Sequence, residues 1–406
     1  MSWKETCAMR ERMKFVALAE AGEETMAELC RRFGISRKTG YKFRGRFAAE
    51  GNAGLSDRSH APHQHPHAVS EEIEQRIIEL RGEHPFWGAR KLRARLRMLD
   101  AAVALPAAST IGEILRRHKL IVLRRRRSRV PADTSPFAAC TGANDTWSID
   151  FKGWFRTGDG RRCEPLTISD AYSRYLLRCQ VVWRADTRWV KPLVEATFRE
   201  YGLPHVIRSD NGPPFASSGA GGLCRLSVWW IKLGIKPERI EPGQPSQNGR
   251  HERLHETLKL EGCQPPAANR REQQQRFDVF RRVYNEERPH EALADATPSM
   301  IYQASPRPYP SRLMEVVYPD GWQVRHVRHD GSIKWGGEYL FVSEVLVGEP
   351  VGLEEVDGDV WRVQFGPVLL GKIRDGKFYR EGGGRRRRAA LRSLMAPRGA
   401  PAAGQD

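Results

Sequence analysis

The spacing of apolar residues changes twice along this 406-residue chain, and that change limits the fold more than any other feature. In the N-terminal third, apolar side chains recur at helical spacing on one face. Between residues 144 and 183 they alternate with polar residues, as in strands. After residue 323, short alternating segments are separated by turn signals such as Asp357-Gly358. The pattern predicts a helical region, a mixed α/β region and a small all-β region, which the length of the chain allows.

The charge of the chain indicates a polyanionic partner, most simply a nucleic acid. Lys and Arg number 67 and Asp and Glu number 49, so the formal net charge is +18. Residues 1–130 hold 27 of the basic and 15 of the acidic residues, a net of +12, which is two thirds of the excess. The densest block, residues 116–129, predicts contact with nucleic acid, whereas the block at 385–388 predicts a solvated, flexible tail.

The sequence also excludes several classes of protein. No run of eighteen or more apolar residues is present, so no transmembrane helix and no membrane partner are expected. Charges are scattered through the first fifteen positions, which is unlike a signal peptide. The seven cysteines lie far apart and form no Cys-x-x-Cys pair, which favours reduced thiols. We therefore expect a cytoplasmic protein.

Two helix-turn-helix units are predicted in the helical region, with a plain helical hairpin as the alternative for the first. Gly34 permits a tight turn, and Ser36 can cap the helix that follows. That helix carries side chains suited to phosphates and base edges, namely Arg37, Lys38, Lys42 and Arg46. Residues 109–120 resemble a second recognition helix. It carries Arg116 and Arg117 and leads into a basic arm formed by Arg124, Arg125, Arg126 and Arg127.

Carboxylates mark the α/β region. Asp150 lies within an otherwise apolar strand, a local inconsistency that often indicates a site. Asp210 lies at the tip of a short strand just before a turn, where a carboxylate is well placed to hold a hard cation. Glu252 and Glu256 follow one turn apart on a helix. Asp170 is interpreted mainly as a turn residue.

Three motifs carry a resemblance to a known family. Trp147-x-x-Asp150, the Ser-Asp-Asn-Gly segment 209–212 and Asn248-Gly249-Arg250-x-Glu252 are similar to the acidic motifs of the retroviral-integrase superfamily. The likeness is greatest to bacterial insertion-sequence transposases with an Asp-Asp-Glu triad, and it spans most of residues 20–305. It implies a ribonuclease-H-like core in which Asp150, Asp210 and Glu252 are catalytic and bind metal, and in which Arg250 contacts DNA.

The resemblance also implies a reaction. The carboxylates would hold two Mg²⁺ ions, with Mn²⁺ as a substitute, and these ions would support DNA cleavage and strand transfer by transesterification. Double-stranded DNA would be the partner, both as the inverted-repeat ends of the element and as the target. Because two ends must meet, a homo-multimer on DNA is expected, located in the cytoplasm with the nucleoid.

One spacing departs from the family pattern. Asp210 and Glu252 are 42 positions apart, which is longer than usual in this superfamily. The glycine-rich stretch 217–226 is predicted to supply the excess as a loop. Glu256 is the alternative third carboxylate.

Two other functions compete with this interpretation. Residues 251–255 read His-Glu-Arg-Leu-His, the pattern of zinc proteases, in which two histidines bind zinc and the glutamate is the general base. That reading leaves Asp150, Asp210 and the basic N-terminal region without a role. A helix-turn-helix regulator with an inactive catalytic domain is the second alternative.

The domain prediction combines these regions. The C-terminal strands predict a small SH3-like barrel. The five segments are 10–60, a helix-turn-helix domain; 68–130, a second such domain with its basic arm; 138–305, the catalytic core; 320–380, the barrel; and 381–406, the basic tail.

Overall fold

The structure, a computed structural model, describes residues 7–58, 69–121, 140–240 and 249–381. The chain forms two compact units that divide between Val69 and Ser70, and each is described by itself. The predicted basic arm, Arg124, Arg125, Arg126 and Arg127, and the predicted tail lie outside the described residues. No helix in the described part of the chain is long and apolar enough to cross a membrane.

The first unit contains the predicted helix-turn-helix. Its helices are α1 (Ala8–Ala21), α2 (Met26–Arg32) and α3 (Arg37–Glu50). Gly34 has a φ of +65° in the turn between α2 and α3, a conformation that favours glycine. The Ser36 hydroxyl accepts a hydrogen bond from the backbone N–H of Thr39 at 3.1 Å, which caps α3 as predicted. The helix-turn-helix prediction is confirmed.

Gly40 allows the close crossing of α3 over the rest of this unit. A Cβ atom at Gly40 would lie 2.6 Å from the Sγ of Cys30 and 2.9 Å from the Cζ of Phe15. The absence of a side chain at Gly40 therefore leaves the space that the side chains of Cys30 and Phe15 occupy.

Gly40→Ala is expected to destabilise the first unit by about 1–3 kcal/mol, because the new methyl group overpacks the contact with Cys30. Gly45→Ala on the same helix is the matched control, since a Cβ there meets nothing within 4 Å. It is expected to stabilise the helix by up to about 1 kcal/mol. Hydrogen exchange of the α2 and α3 amides in the full chain measures both effects. Equal stabilisation by the two variants would contradict the packing argument.

The second unit begins with three further helices, α4 (Glu71–Glu83), α5 (Ala89–Leu99) and α6 (Ala108–Arg117). Ser70 caps α4, accepting a hydrogen bond from the backbone N–H of Ile73 at 3.4 Å. Ile77, Leu92 and Ile111, one from each helix, are fully buried. The apolar faces expected from the sequence therefore form the interior of this three-helix segment.

A mixed six-stranded sheet forms the centre of the second unit. Its strands are β1 (Thr146–Phe151), β2 (Phe155–Arg156), β3 (Arg162–Asp170), β4 (Leu176–Val182), β5 (Val206–Ser209) and β6 (Lys236–Arg239). The order is β2-β3-β1-β5-β6, and β4 also pairs with β3. β1 is antiparallel to β3 and parallel to β5, which is parallel to β6. This mixed sheet confirms the predicted ribonuclease-H-like core.

Helices cover the sheet and fix which side chains face each layer. They are α7 (Thr187–Tyr201), α8 (Arg225–Lys232), α9 (Gly249–Glu261), α10 (Arg270–Arg282) and the short α11 (Pro298–Ile301). Ile149 of β1 packs in one apolar cluster with residues of α7 and α8. Cys179 of β4 packs in another with residues of α9 and α10. Asp150, next to Ile149, therefore points away from α7 and α8.

The C-terminal strands are β7 (Gln323–His326), β8 (Ser332–Trp335), β9 (Glu338–Phe341), β10 (Pro350–Asp357), β11 (Val360–Phe365), β12 (Val368–Arg374) and β13 (Lys377–Arg380). Five of them form a sheet ordered β13-β12-β11-β10-β7, and β8 pairs with β9. Val228 and Ile231 of α8 share an apolar cluster with Leu353 and Phe365 of this region. In the described residues this sheet is open, so the predicted SH3-like barrel is not confirmed.

Candidate active site

Two of the predicted carboxylates lie at the ends of neighbouring strands. Ile149 of β1 pairs with Ser209 of the parallel strand β5. Asp150 follows Ile149 and is the residue before the last of β1, and Asp210 directly follows the last residue of β5, so both lie near the ends of these strands. The structure thus brings these two residues, 60 positions apart in sequence, to one edge of the sheet.

The Ser-Asp-Asn-Gly segment shapes the surroundings of Asp210. A Cβ atom at Gly212 would lie 3.0 Å from an Asp210 carboxylate oxygen, so glycine leaves room for that group. The amide of Asn211 donates to the carbonyl of Ile240 at 2.7 Å and ties the turn to the end of β6. Burial raises the pKa of Asp210, although a hydrogen bond from the backbone of Gly212 opposes the shift.

Among the described residues, no cationic neighbour offsets the burial of Asp210, because no Lys or Arg contributes to the pKa of its carboxyl. A half-buried carboxylate in this situation is stabilised by a bound cation. The hard oxygen atoms of the Asp210 carboxylate fit a divalent metal ion.

Two histidines of α9 lie against β3, beside Asp150. The hydroxyl of Thr167, the residue opposite Asp150 on β3, lies 2.7 Å from Nε2 of His251 and 2.8 Å from Nε2 of His255. The same hydroxyl donates to the backbone carbonyl of Asp150 at 3.2 Å. One proton and two lone pairs satisfy all three contacts when both histidines donate from Nε2. Thr167 is therefore the hub that holds α9 on the sheet.

Burial keeps both histidines neutral. It lowers the pKa of His251 to about 4. The pKa of His255 falls to about 2, because burial, His251 and Lys152 all disfavour its charged form. This Thr167–histidine cluster was not found from the sequence, where only the spacing of the two histidines on one helical face was visible.

The zinc-protease pattern of residues 251–255 has a different geometry from the one expected. One potential ligand atom from each of Asp150, His251 and His255 lies within 4.8 Å of the others. The histidines thus converge with a carboxylate from β1. Glu252, the expected general base, is exposed on the helix. Successive residues of a helix are rotated by about 100°, so Glu252 points away from the histidine cluster.

The other predicted site residues have distinct surroundings. Within the described residues, neither Asp210 nor Glu252 joins the compact group around Asp150. Arg250 lies in α9, but its side chain is outside the described part of the chain. Asp170 is fully buried, and its carboxylate accepts hydrogen bonds from the backbone of Asn144 at 2.8 Å and of Ser173 at 2.7 Å. It closes a turn, as the sequence indicated.

The chain matches known families in both its catalytic and its helical regions. Profiles described as integrase core domain match residues 141–245 and 233–298. Profiles described as helix-turn-helix and homeodomain-like domains match residues 11–63 and 39–115. An uncharacterized 39.2 kDa protein of insertion element IS476 from Xanthomonas euvesicatoria is 29% identical over 255 residues, which cover 61% of this chain and 70% of that protein.

A second relative is an uncharacterized 31.7 kDa protein of insertion element IS407 from Burkholderia multivorans. It is 28% identical over 239 residues, which cover 58% of this chain and 82% of the relative. These matches support an insertion-element transposase of the integrase (DDE) superfamily. The integrase core supports a polynucleotidyl transferase-type enzyme, and the helix-turn-helix domains imply DNA binding.

Among solved structures, the transposase is similar to the HTLV-2 integrase catalytic core domain in complex with magnesium. The identity is 15%, the match covers 40% of this chain and 98% of that one, and the TM-score is 0.31. A likeness of this degree adds nothing to the assignment.

The predicted DNA-contacting residues differ in their exposure and in whether they form ion pairs. Arg37, Lys38 and Lys42 are exposed on α3, the second helix of the helix-turn-helix, and Arg46 is half-buried. In contrast, Arg116 pairs with Glu113, and Arg117 pairs with Glu74 at 2.7 Å. The two basic residues of α6 would therefore have to leave internal partners in order to contact phosphate.

The role of Thr167 in holding α9 can be tested with a substitution that keeps the shape of its side chain. Thr167→Val removes the hydroxyl and with it the hydrogen bonds to Nε2 of His251 and of His255. We expect the free energy of unfolding to fall by about 2–4 kcal/mol. Thr167→Ser keeps the hydroxyl and is expected to cost only about 1 kcal/mol for the lost methyl group. Denaturant unfolding of the full chain compares the two, and equal losses would contradict the hub.

Proposed function

We propose that this transposase binds the terminal inverted repeats of an insertion sequence and catalyses metal-dependent DNA cleavage and strand transfer. Asp150, Asp210 and Glu252 are its catalytic carboxylates. The observation that carries the proposal is the position of Asp150 and Asp210 at adjacent ends of the parallel strands β1 and β5. Glu252 is the exposed residue that follows His251 on α9, the helix that Thr167 contacts through His251 and His255.

Two Mg²⁺ ions are the proposed cofactors, with Mn²⁺ as a substitute, and Asp150, Asp210 and Glu252 would hold them. Bound there, the ions would supply activation of a water or 3′-hydroxyl nucleophile and stabilisation of the leaving 3′-oxygen. The uncompensated burial of Asp210 supports a cation at this position. The chain itself orients that carboxylate through the backbone of Gly212.

The remaining parts of the chain would hold the DNA. In this proposal the domains 10–60 and 68–130 read the inverted repeats, and the core 138–305 acts on the strands. The region 320–380, with the predicted barrel, would add nonspecific DNA contact or help assembly, and the tail 381–406 would be a solvated segment. Because two ends and a target must meet, the active form would be a homo-multimer on DNA, in the cytoplasm with the nucleoid.

A strand-joining assay tests the proposal. The full chain is incubated with labelled duplexes that carry the inverted repeats flanking its reading frame, and with a plasmid target. Joined products are expected with Mg²⁺ or Mn²⁺, and they should be absent with a scrambled repeat. Intact protein that binds the repeats but forms no joined product with either ion would instead favour the inactive regulator.

Elemental analysis for zinc distinguishes the zinc-protease alternative from the proposed function. On the proposed function, purified protein holds no stoichiometric zinc, and His255→Ala leaves the metal content unchanged. One tightly bound zinc per chain that disappears in His255→Ala would overturn the assignment, because His251 and His255 would then be zinc ligands.

A further inference from the structure

Three tryptophans of the core are unusually exposed to solvent. Trp154 is 54% exposed, Trp183 is 55% exposed and Trp189 is 40% exposed. A single exposed apolar residue needs no explanation, but large aromatic side chains that lie together on a surface indicate a binding site.

Each of these tryptophans faces a guanidinium group. The Cζ of Arg162 lies 5.0 Å from the ring centre of Trp154, that of Arg270 lies 3.9 Å from Trp183, and that of Arg188 lies 5.4 Å from Trp189. These distances are typical of cation–π contacts. Each of the three exposed rings thus lies beside a positive charge.

The contacts join into one continuous row. The rings of Trp183 and Trp189 lie 6.3 Å apart between centres. Arg270, stacked on Trp183, donates from Nε to the carbonyl of Arg162 at 2.7 Å, and Arg162 in turn lies over Trp154. We call this row the Trp–Arg track; its members are Trp154, Arg162, Arg270, Trp183, Trp189 and Arg188.

Two of the three cations in the track form no ion pair within the described residues. These are Arg188 and Arg270, whereas Arg162 pairs with Glu164 at 3.2 Å. A guanidinium group without a carboxylate partner can pair with an anionic ligand such as phosphate.

The track begins at the end of the sheet where Asp150 lies. Trp154 follows the end of β1, Arg162 begins the antiparallel strand β3, and Trp183 follows the end of β4. Thr167, opposite Asp150, is five residues along β3 from Arg162. At ~3.3 Å per residue this separation is about 16 Å. A strand of a few nucleotides that reaches the carboxylates can therefore also cover the track.

We propose that the Trp–Arg track binds an unpaired DNA strand next to the catalytic carboxylates. Its tryptophans would stack on bases and its arginines would contact phosphates, which is how proteins hold single strands without reading their sequence. This proposal rests on the proposed function, because it assigns to that site a DNA end with unpaired nucleotides. Duplex DNA hides its base faces, so the exposed rings favour the unpaired strand.

Binding measurements without metal test the track separately from the reaction. The full chain is titrated in EDTA with a fluorescent oligo-dT strand and with a duplex carrying the inverted repeat. In the double variant Trp183→Ala/Trp189→Ala, affinity for oligo-dT is expected to fall at least about tenfold. Affinity for the duplex should stay within about twofold. Tyr339→Ala is the matched control, because Tyr339 is 54% exposed and also faces an arginine, Arg328 at 4.2 Å.

A second variant keeps the test valid if the double variant misfolds. Arg270→Gln should weaken oligo-dT binding and reduce its salt dependence by about one charge. Unchanged oligo-dT affinity in both variants overturns the proposal, and so does an equal loss for strand and duplex. If the tryptophan variant instead loses self-association by sedimentation and still binds oligo-dT, the surface is an interface between copies. A chain that binds oligo-dT through the track but never joins strands would refute only the proposed function.

Discussion

Replacing Asp210 by Asn is expected to reduce strand joining by about a thousandfold or more, which corresponds to ~4 kcal/mol of lost transition-state stabilisation. The amide has nearly the shape of the carboxylate but lacks the charge that would hold a divalent cation beside Asp150. DNA binding by the full chain should be unchanged within about twofold, because the first unit carries the exposed basic residues of α3. Single-turnover joining assays and filter binding on the same preparations measure the two quantities.

The stability of Asp210→Asn shows whether its lost strand joining results from unfolding. Burial raises the pKa of Asp210, so the charged carboxylate is disfavoured in the folded core. Asn removes that charge, and the variant is therefore expected to be at least as stable as the parent chain. A lower unfolding midpoint together with lost activity would mean that the change had damaged the fold.

Two glutamates of α9 provide a matched pair for the third carboxylate. Glu252 and Glu256 are both exposed and lie one helical turn apart. On the proposed function, Glu252→Gln is as inactive as Asp210→Asn, whereas Glu256→Gln joins strands normally. The reverse result would assign the third carboxylate to Glu256 and leave the roles of the two aspartates unchanged.

The sequence predicts parts of the site that depend on local pattern. Asp210 lies at a strand end because the strand Val206–Ser209 is short and Asp210 itself is followed by Asn and Gly. The capping by Ser36 and the positive φ of Gly34 follow from similarly local chemistry. Such features depend on residues within a few positions of one another, and a single sequence contains them.

Other features depend on contacts between distant segments. The Thr167 hub requires both the register of β3 against β1 and the position of α9, 84 residues further on. The Trp–Arg track combines β-strand ends with the first residue of α10, and no spacing rule links Trp183 to Arg270. Closure of the predicted barrel would likewise depend on pairing between β7 and β13, which the alternation of each strand cannot specify.

The Arg116 and Arg117 pairs show the same limit for charge. A run of basic residues on α6 suggested a surface that faces DNA, but Glu113 and Glu74 lie beside these arginines in the fold. Local net charge therefore overstates the positive surface where acidic residues approach from the same helix or from a neighbouring one. Arg188 and Arg270 show the opposite case, since they lie outside the densest basic blocks.

Acid is expected to unfold the second unit through three of its histidines. The folded protein lowers the pKa of His251 to about 4, of His255 to about 2 and of His290 to about 3, mainly by burial. In the unfolded chain each would have a pKa near 6.5. Below that value the unfolded state binds more protons than the folded state, so stability falls as the pH falls.

The expected loss is large in the range where carboxylates barely titrate. Between pH 7.5 and pH 5, each of the three histidines should lower the free energy of unfolding by about 2 kcal/mol. The combined loss of about 6 kcal/mol is comparable to the whole stability of many domains. Urea unfolding of the full chain at several pH values measures it.

Single substitutions show how much of this pH dependence of stability each histidine contributes. His290→Gln is the most informative variant, because His290 is not a neighbour of the proposed metal ligands. Its unfolding free energy should fall with pH less steeply than that of the parent chain, by about 2 kcal/mol over the same range. His326→Gln changes an exposed histidine on β7 and serves as the control. An unchanged slope in His290→Gln would show that this histidine binds protons equally in the folded and unfolded states, which would contradict the lowered pKa expected from its burial beside Arg288 and Lys91.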